Sequence, residues 1–333
     1  MTQQHLDLGS DFDFSPGSES AREGNAAKAR WDLLGPVREL FDAPVPRAID
    51  YTPVKAVNYL RAGVGLEERV TGGPYIVLDP VWIVNRLQFG AVSLFSWTTK
   101  MSAPSFSLPA GPIAQGGSCA AAEIRSPDSK KNSVHICDRC YAGKGSYLMY
   151  TRVALGQTIR LAWVNAMLRI GISRLASAFI EAIESLQDDS TITALATKNI
   201  SVRHVRIHDS GDFHRPDYYL AWREAAYALP GISFWAPTRQ WVFEKWRRLF
   251  QNYPPPSNMT LRPSALLFGE AAPRIDGLAA GSTSATIQAP WDKIQGVRTW
   301  SCPAYQSDGR SCASAGCRTC WEKSDVPVSY HPH

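Results

Sequence analysis

The sequence predicts an α/β fold: a partial (β/α) barrel with an N-terminal elaboration and a cysteine-rich, metal-binding C-terminal segment. Three observations favour this class. After Tyr150 the chain alternates between helix-like and strand-like patterns. Its 333 residues, 44% of them hydrophobic, are enough to bury a large core. Its seven cysteines fall into two groups at metal-ligand spacing.

Four regions are predicted along the chain. Residues 1–27 are rich in small and acidic residues, which is typical of a flexible tail. Residues 28–94 form the N-terminal elaboration, residues 95–270 the α/β core and residues 271–333 the cysteine-rich segment. Within the elaboration we expect helices at WDLLGPVRELF and VKAVNYLRAG, then a strand pair around YIVLDPVWIV and GAVSLFSW.

The α/β core is predicted because hydrophobic residues recur every three to four positions in some segments, as in helices, and at alternate positions in others, as in strands. Apolar residues at three-to-four spacing indicate helices at TRVALGQTIRLAWVNAML and SRLASAFIEAIESL. HVRIHDSGDF then reads as a strand and loop, and Pro216 suits the start of the helix RPDYYLAWREAAYAL. The order recurs in the strand GISFWAPTR, the helix WVFEKWRRLFQ and the strand NMTLRPSALLF. In such folds the chemistry gathers at the carboxyl ends of the strands.

The composition of the chain indicates where in the cell the protein is located and which kinds of partner it can bind. No segment reaches the ~18 apolar residues of a membrane helix, and MTQQHLDLGSDFDFSPG lacks the regions of a secretory signal. We therefore expect a cytoplasmic protein with no membrane partner. The net charge of +5 permits a nucleic-acid partner. An odd number of cysteines in such a chain favours metal binding over disulfides.

The first cysteine group has the pattern C-x17-C-x2-C. Cys119, Cys137 and Cys140 follow the strand-like SFSLPAG. Three thiolates can hold a four-iron cluster and leave one iron open, or they can bind zinc with His135 as the fourth ligand. Spacing alone does not choose between iron and zinc.

The second group has the pattern C-x9-C-x4-C-x2-C. It comprises Cys302, Cys312, Cys317 and Cys320, in a loop rich in glycine and serine. Four thiolates so close in sequence are typical of a closed tetrahedral site or a fully ligated cluster. A closed site usually supports folding, so the open three-thiol group is the better candidate for an active centre.

Polar residues follow the predicted strands where catalytic groups are expected. His208, Asp209 and Asp212 surround a Ser-Gly turn and offer an acid or base for catalysis. Helix capping by Ser210 or Asp212 is the purely structural alternative. Thr238 and Arg239 end the next strand, where the arginine either binds a ligand or pairs with a carboxylate. Lys144 is a candidate contact for a phosphate or a cofactor carboxylate, or else a solvated lysine.

The motifs together resemble a known family. SFSLPAG, the cysteine run ending CYAGKG, VRIHDSGDF, FWAPTR and the terminal C-x4-C-x2-C are similar, in this order, to the actinobacteriophage gene product 88 family. The resemblance runs from about Phe95 to the C-terminus. It implies a phage or mobile-element protein and carries no established activity.

The layout also resembles radical S-adenosylmethionine enzymes. That resemblance implies an open four-iron cluster on Cys119, Cys137 and Cys140, an auxiliary cluster on the last four cysteines, and an electron-donor protein. Ser210, Gly211 and Asp212 would stand where that superfamily contacts the amino group of the cofactor. We expect the cofactor site to be completed by Tyr141, Lys144, Thr238 and Arg239. Here seventeen residues separate the first two cysteines, where the superfamily usually has three.

Two other functions remain open at this stage. HDSGDF is similar to the Asp-Ser-Gly turn of tRNA-guanine transglycosylases and their phage DNA-modifying relatives. There Asp209 or Asp212 would act on a guanine base or its sugar in tRNA or DNA, and zinc would bind Cys312, Cys317 and Cys320 with Cys302 or His331. The third hypothesis is a non-catalytic, metal-stapled protein that binds nucleic acid. The radical-enzyme hypothesis names no substrate.

Overall fold

The central feature of the fold is a parallel sheet of four strands. The computed structural model describes residues 75–77, 91–98, 101, 103–113, 117–124, 135–143, 147, 151–197, 200–286, 291–305, 311–312 and 314–331. The parallel sheet contains β3 (Ser105–Phe106), β4 (His204–Ile207), β5 (Ser233–Thr238) and β6 (Met259–Pro263), which are neighbours in chain order. The α/β class with a parallel sheet is therefore confirmed.

Helices provide the connections between these strands, as expected. They are α1 (Thr151–Ile170), α2 (Ile172–Glu184), α3 (Asp189–Ala196), α4 (Pro216–Ala228) and α5 (Glu244–Asn252). Pro216 occupies the first turn of α4, where its missing N–H leaves no donor unsatisfied. The predicted order of strands and helices after Tyr150 is confirmed, and α3 is an additional helix that the sequence pattern did not indicate.

One face of the sheet packs against the helices. Val205 and Ile207 alternate along β4 and are fully buried in a core shared with the helices. Phe179 of α2 stacks on Trp222 of α4 with 3.8 Å between ring centroids. Both rings also meet Phe106 of β3 edge-on, at 5.4 Å and 5.5 Å, so this aromatic layer packs the two helices against the sheet.

The opposite face packs against the C-terminal segment. Trp235 of β5 meets Trp321 with 5.2 Å between centroids, and the indole of Trp321 donates to the carbonyl of Val205 at 3.0 Å. Thr260 of β6 donates its hydroxyl to the carbonyl of Trp321 at 2.6 Å. Alternate residues of the strands therefore face helices on one side and the cysteine-rich segment on the other.

Two smaller sheets complete the described strands. β1 (Tyr75–Val77) and β2 (Ala91–Ser93) pair antiparallel, which confirms the predicted strand pair. A second four-stranded sheet has the order β7 (Ser282–Ser284), β10 (Val328–Tyr330), β9 (Val297–Ser301), β8 (Trp291–Ile294). A parallel bridge between Ser264 and Ser282 joins this sheet to the end of β6.

Some predictions fall outside the described residues. They are the tail at 1–27, the two helices at WDLLGPVRELF and VKAVNYLRAG, and Lys144. Among the residues that are described, no helix combines the length and the apolar character needed to cross a bilayer.

Candidate functional site

The loops that follow β3 and β4 interlock at the carboxyl edge of the parallel sheet. The amide of Leu108 donates to the carbonyl of Ser210 at 3.0 Å, and the Ser210 hydroxyl donates back to the carbonyl of Leu108 at 2.8 Å. Ser118 accepts from the amide of Asp212 at 3.2 Å through its hydroxyl oxygen. The two predicted site loops are thus held together by their own polar groups.

Gly211 allows this close approach. Its φ of 86° lies in the left-handed region, and a Cβ there would come within 2.4 Å of the Ser118 hydroxyl and 2.7 Å of the Leu108 Cβ. Any larger residue would push the loops apart, since contacts under 3.0 Å require movement. The glycine of the HDSGDF motif therefore has a structural function that its sequence context only partly indicates.

Asp212 connects the loop after β4 to the end of β5. One carboxylate oxygen accepts from the amide of Phe213 and the hydroxyl of Thr238, both at 2.7 Å. The other accepts from the amide of Arg239 at 2.8 Å. Burial raises the pKa of Asp212 to about 6, although these hydrogen bonds act in the opposite direction. Asp212 thus positions both loops.

The first cysteine group lies in this same region. Burial and the neighbouring Asp212, Cys137 and Cys140 raise the pKa of the Cys119 thiol. Burial also raises the pKa of Cys137, which Arg239 lowers and Cys140 and Asp212 raise. Electrostatic effects between charged groups weaken with distance, so the groups that act on one another here lie in one region of the fold. The three predicted thiols therefore lie in one region with Asp212.

The loop that carries Cys137 and Cys140 is anchored to the segment after β6. The amide of Ile136 donates to the carbonyl of Leu266 at 2.8 Å. The ring of His135 accepts from the amide of Cys137 at 3.1 Å through Nδ1. Arg239 reaches the same segment, because its Nε donates to the carbonyl of Ala265 at 3.1 Å. Loops after all four parallel strands therefore contribute to this edge.

Asp209 lies in a second buried polar cluster next to the thiols. Its Oδ2 accepts from the hydroxyl of Tyr147 at 2.9 Å, and its backbone carbonyl accepts from the hydroxyl of Tyr141. Its Oδ1 is buried and accepts no hydrogen bond from the residues that the structure describes. Burial lowers the pKa of the nearby Arg160 to about 10, and Asp209 opposes that shift. A buried carboxylate oxygen without a donor is rare and points to a ligand.

His208 is directed away from these groups. Its imidazole is 1% exposed, Nε2 lies 3.0 Å from the hydroxyl of Tyr218, and the ring meets Phe213 edge-on at 4.6 Å. Burial and the charge of Arg206 lower its pKa to about 3. His208 therefore belongs to the helix-covered core, while Asp209 and Asp212 face the loops.

The second cysteine group assembles on the other face of the sheet. Cys302 donates a hydrogen bond to Cys312, which lowers the pKa of Cys312 with help from Arg206 and Arg318. Burial raises the pKa of Cys320 to about 11, and its sulfur lies 3.3 Å from the hydroxyl of Tyr330. Cys312 and Cys317 act on Cys320 in the same direction, so all four predicted thiols are neighbours.

Arg206 lies between the two cysteine groups. Its guanidinium stands over Trp235 at 4.7 Å, donates to the hydroxyl of Tyr141 at 3.2 Å and donates to the carbonyl of His208 at 3.0 Å. Tyr141 directly follows Cys140 in the first group, and the charge of Arg206 acts on Cys312 in the second. Arg206 therefore contacts residues that belong to, or lie next to, both groups.

The thiols are free but do not form ready-made chelates. All seven cysteines lie in described residues and none is in a disulfide. Within the part of the chain that the structure describes, no three side chains of histidine, cysteine, aspartate or glutamate are arranged as ligands of one metal ion. The two cysteine groups are therefore recognised by the electrostatic effects of their thiols on one another.

Sequence reasoning missed several residues of the site. Ser118 adjoins Cys119 but carried no motif of its own, and Tyr147 and Arg160 contact the site from segments read as loop and helix face. Of these missed residues, the sequence pattern could have indicated Arg206. It alternates with Val205 and Ile207 along the strand, so its side chain must lie on the opposite face of the sheet.

These features define the class of protein: a mixed α/β protein whose parallel sheet presents thiols and buried carboxylates at its carboxyl edge. A family model described as gene product 88 matches residues 83–328, well over half of the 333 residues. The chain belongs to the gene product 88 family, in agreement with the order of its motifs. Searches of curated proteins and of solved structures gave no match.

Proposed function

We propose that this protein is an iron–sulfur enzyme of the radical S-adenosylmethionine type, built on a partial barrel. Cys119, Cys137 and Cys140 would hold a four-iron cluster with one open iron. The observation that carries the proposal is the electrostatic grouping of these three thiols with Asp212, in loops after parallel strands. Three thiolates leave one iron of such a cluster free for a further ligand.

The donor set fits a cationic cluster. Burial and neighbouring negative charge raise the pKa of Cys119 and of Cys137, so these two thiols resist deprotonation in the absence of added positive charge. A bound metal removes that penalty because its ligating thiols are deprotonated. The anchoring of Ile136 to Leu266 supports the same assignment, since it fixes the Cys137–Cys140 loop over the strand ends.

The protein's own residues would position and shield the reactants. When bound, the cluster would supply the electron for reductive cleavage of S-adenosylmethionine. Asp212 would hold the two loops in register, since its oxygens already accept from Phe213, Thr238 and Arg239. Asp209 is the better candidate to accept a hydrogen bond from an amino group, because its Oδ1 has no donor among the described residues. The carboxylate of Asp212 already accepts three hydrogen bonds, which disfavours it as a transglycosylase nucleophile.

The C-terminal thiols would hold a second metal centre. Four neighbouring thiols with no open position suit an auxiliary cluster or a structural zinc. Arg206 lies between this group and Tyr141 of the first loop. The proposal includes a cytoplasmic location and an electron-donor protein.

Metal content tests the proposal. The protein is purified without oxygen, and iron, acid-labile sulfide and zinc are measured per chain. We expect about eight irons if both centres hold four-iron clusters, and about four in a Cys137→Ala/Cys140→Ala variant. A Cys312→Ala/Cys317→Ala variant is the matched control and should keep the first cluster.

Cleavage of the cofactor separates the two centres further. With a strong reductant, the wild type and the C-terminal variant should release 5′-deoxyadenosine, and the Cys137→Ala/Cys140→Ala variant should not. One zinc per chain, unchanged in the Cys137→Ala/Cys140→Ala variant, would refute the proposal and favour the base-exchange or binding hypotheses.

A further inference from the structure

The hairpin of β8 and β9 presents an aromatic and basic face to solvent. In its register Trp291 pairs with Trp300, and Lys293 pairs with Arg298. Because strand residues alternate between faces, these four side chains share one face. Trp291, Lys293 and Arg298 are exposed and Trp300 is half-buried, whereas Ile294 and Thr299 on the other face are buried.

The two cations on this face oppose each other directly. Like charges at a cross-strand pair destabilise a hairpin, and opposite charges are the usual solution. Among the residues that the structure describes, Arg298 forms no ion pair. An anionic ligand over Lys293 and Arg298 would remove this repulsion.

A groove of about 460 Å³ runs beside the same face. Its walls are formed by Arg274, Trp291, Val297, Arg298, Asp325, Val326 and Pro327. The guanidinium of Arg298 lies 4.4 Å from the ring centroid of Trp291, and that indole is 41% exposed. It meets Trp300 edge-on at 5.0 Å, which holds the exposed ring in place. The groove therefore combines a supported aromatic platform with cations.

We propose that this hairpin face binds single-stranded nucleic acid. Trp291 would stack on an unpaired base, and Lys293, Arg298 and Arg274 would contact phosphates. Stacking on aromatic side chains between cations is how sequence-tolerant proteins hold single strands. Asp325, the one carboxylate in the groove wall, would repel phosphate and accept from a base amino group or a sugar hydroxyl.

A single strand fits this face better than a duplex does. A duplex hides the faces of its bases, so the exposed indole of Trp291 would have no stacking partner. A duplex held only by its phosphates would use the cations of this face and leave the exposed indole without a function. The proposal stands on the hairpin and its groove, and its success or failure is independent of the metal centres.

Binding to labelled oligonucleotides tests the proposal. Fluorescence anisotropy is measured with mixed-sequence DNA and RNA strands of about 12 nucleotides, a length within the usual site size. Trp291→Ala should weaken binding about tenfold or more, whereas Trp291→Phe, which keeps an aromatic face, should retain most of the affinity. Arg298→Ala should weaken binding and reduce the slope of log K against log salt by about 0.7.

The chain offers a matched control on α4. There Arg223 stands over Tyr227 at 4.8 Å, and Tyr227 is 56% exposed, yet the pair lies outside the groove. Arg223→Ala and Tyr227→Ala should leave binding unchanged. The proposal fails if no strand binds at about 50 mM salt, where phosphate contacts are strong, if Trp291→Ala binds like the wild type, or if a duplex binds as tightly as a single strand.

Discussion

His208 shows how one buried side chain sets a response to pH. Its imidazole lies in an aromatic core, and its left-handed φ of 69° is uncommon for a residue other than glycine. Burial favours the neutral ring and lowers its pKa to about 3, compared with an ordinary value of 6.5. The folded protein therefore keeps this histidine uncharged over the range in which the unfolded chain protonates it.

This shift predicts a loss of stability in mild acid. A lowered folded-state pKa contributes stability above pH 6.5, and the contribution falls as the pH drops toward about 3. Between pH 7 and pH 5 the loss from His208 is about 2 kcal/mol. In urea unfolding, His208→Asn should show that much less pH dependence than the wild type, because asparagine tolerates the left-handed backbone but carries no charge.

Two features make this comparison specific. Tyr218→Phe removes the same hydrogen bond but keeps the imidazole, so it should retain the pH dependence of the wild type. Asp212 acts in the opposite sense, because its raised pKa stabilises the fold as the pH falls from about 6, but it does so in all three proteins. Identical pH profiles for the wild type and His208→Asn would contradict the assignment.

At the scale of elements, β6 fastens the cysteine-rich segment to the sheet through one arginine. Arg262 is fully buried, and its guanidinium donates to the carbonyls of Ala280 at 2.6 Å, Glu322 at 2.7 Å, Thr319 at 2.8 Å and Cys320 at 3.2 Å. The planar fork reaches acceptors in several directions at once. The ends of several loops are thereby tied to one strand.

Replacing this arginine should therefore loosen the C-terminal segment. Arg262→Lys keeps the charge but cannot satisfy the same carbonyls, so we expect the free energy of unfolding to fall by about 2–4 kcal/mol. Urea unfolding measures the loss, and limited proteolysis should cut first near the second cysteine group. Arg248→Lys, on the exposed side of α5, should change stability by less than about 0.5 kcal/mol. Equal unfolding midpoints for the wild type and Arg262→Lys would rule out this clamp.

At the scale of the whole molecule, the sequence predicted the elements whose patterns are local. Val205 and Ile207 alternate along β4, and Trp246, Leu249 and Phe250 recur at helical spacing along α5. Pro216 marked the start of α4. These signals depend on residues only a few positions apart, and they placed the candidate loops at the carboxyl ends of the parallel strands.

The pairing of β7 with β10 in the second sheet was not predicted because its pattern is not local. β7 is the sequence STS, which has no apolar alternation, yet Ser282 and Thr283 are buried. Their burial follows from pairing with Val328–Tyr330, more than forty residues later. The contacts of Arg206 with Trp235 and Tyr141 likewise depend on the folded arrangement. Long-range pairing of this kind leaves little trace in one sequence.

The most direct test of the account is an electron paramagnetic resonance spectrum of the reduced protein, recorded without oxygen, with and without S-adenosylmethionine. Cys312→Ala/Cys317→Ala isolates the first centre, and Cys137→Ala/Cys140→Ala isolates the second. We predict that the cofactor changes the cluster signal of the first variant, because an open iron accepts it as a ligand, and has no effect on the second. A spectrum without any cluster signal, or one that the cofactor leaves unchanged in the wild type and both variants, would contradict the account.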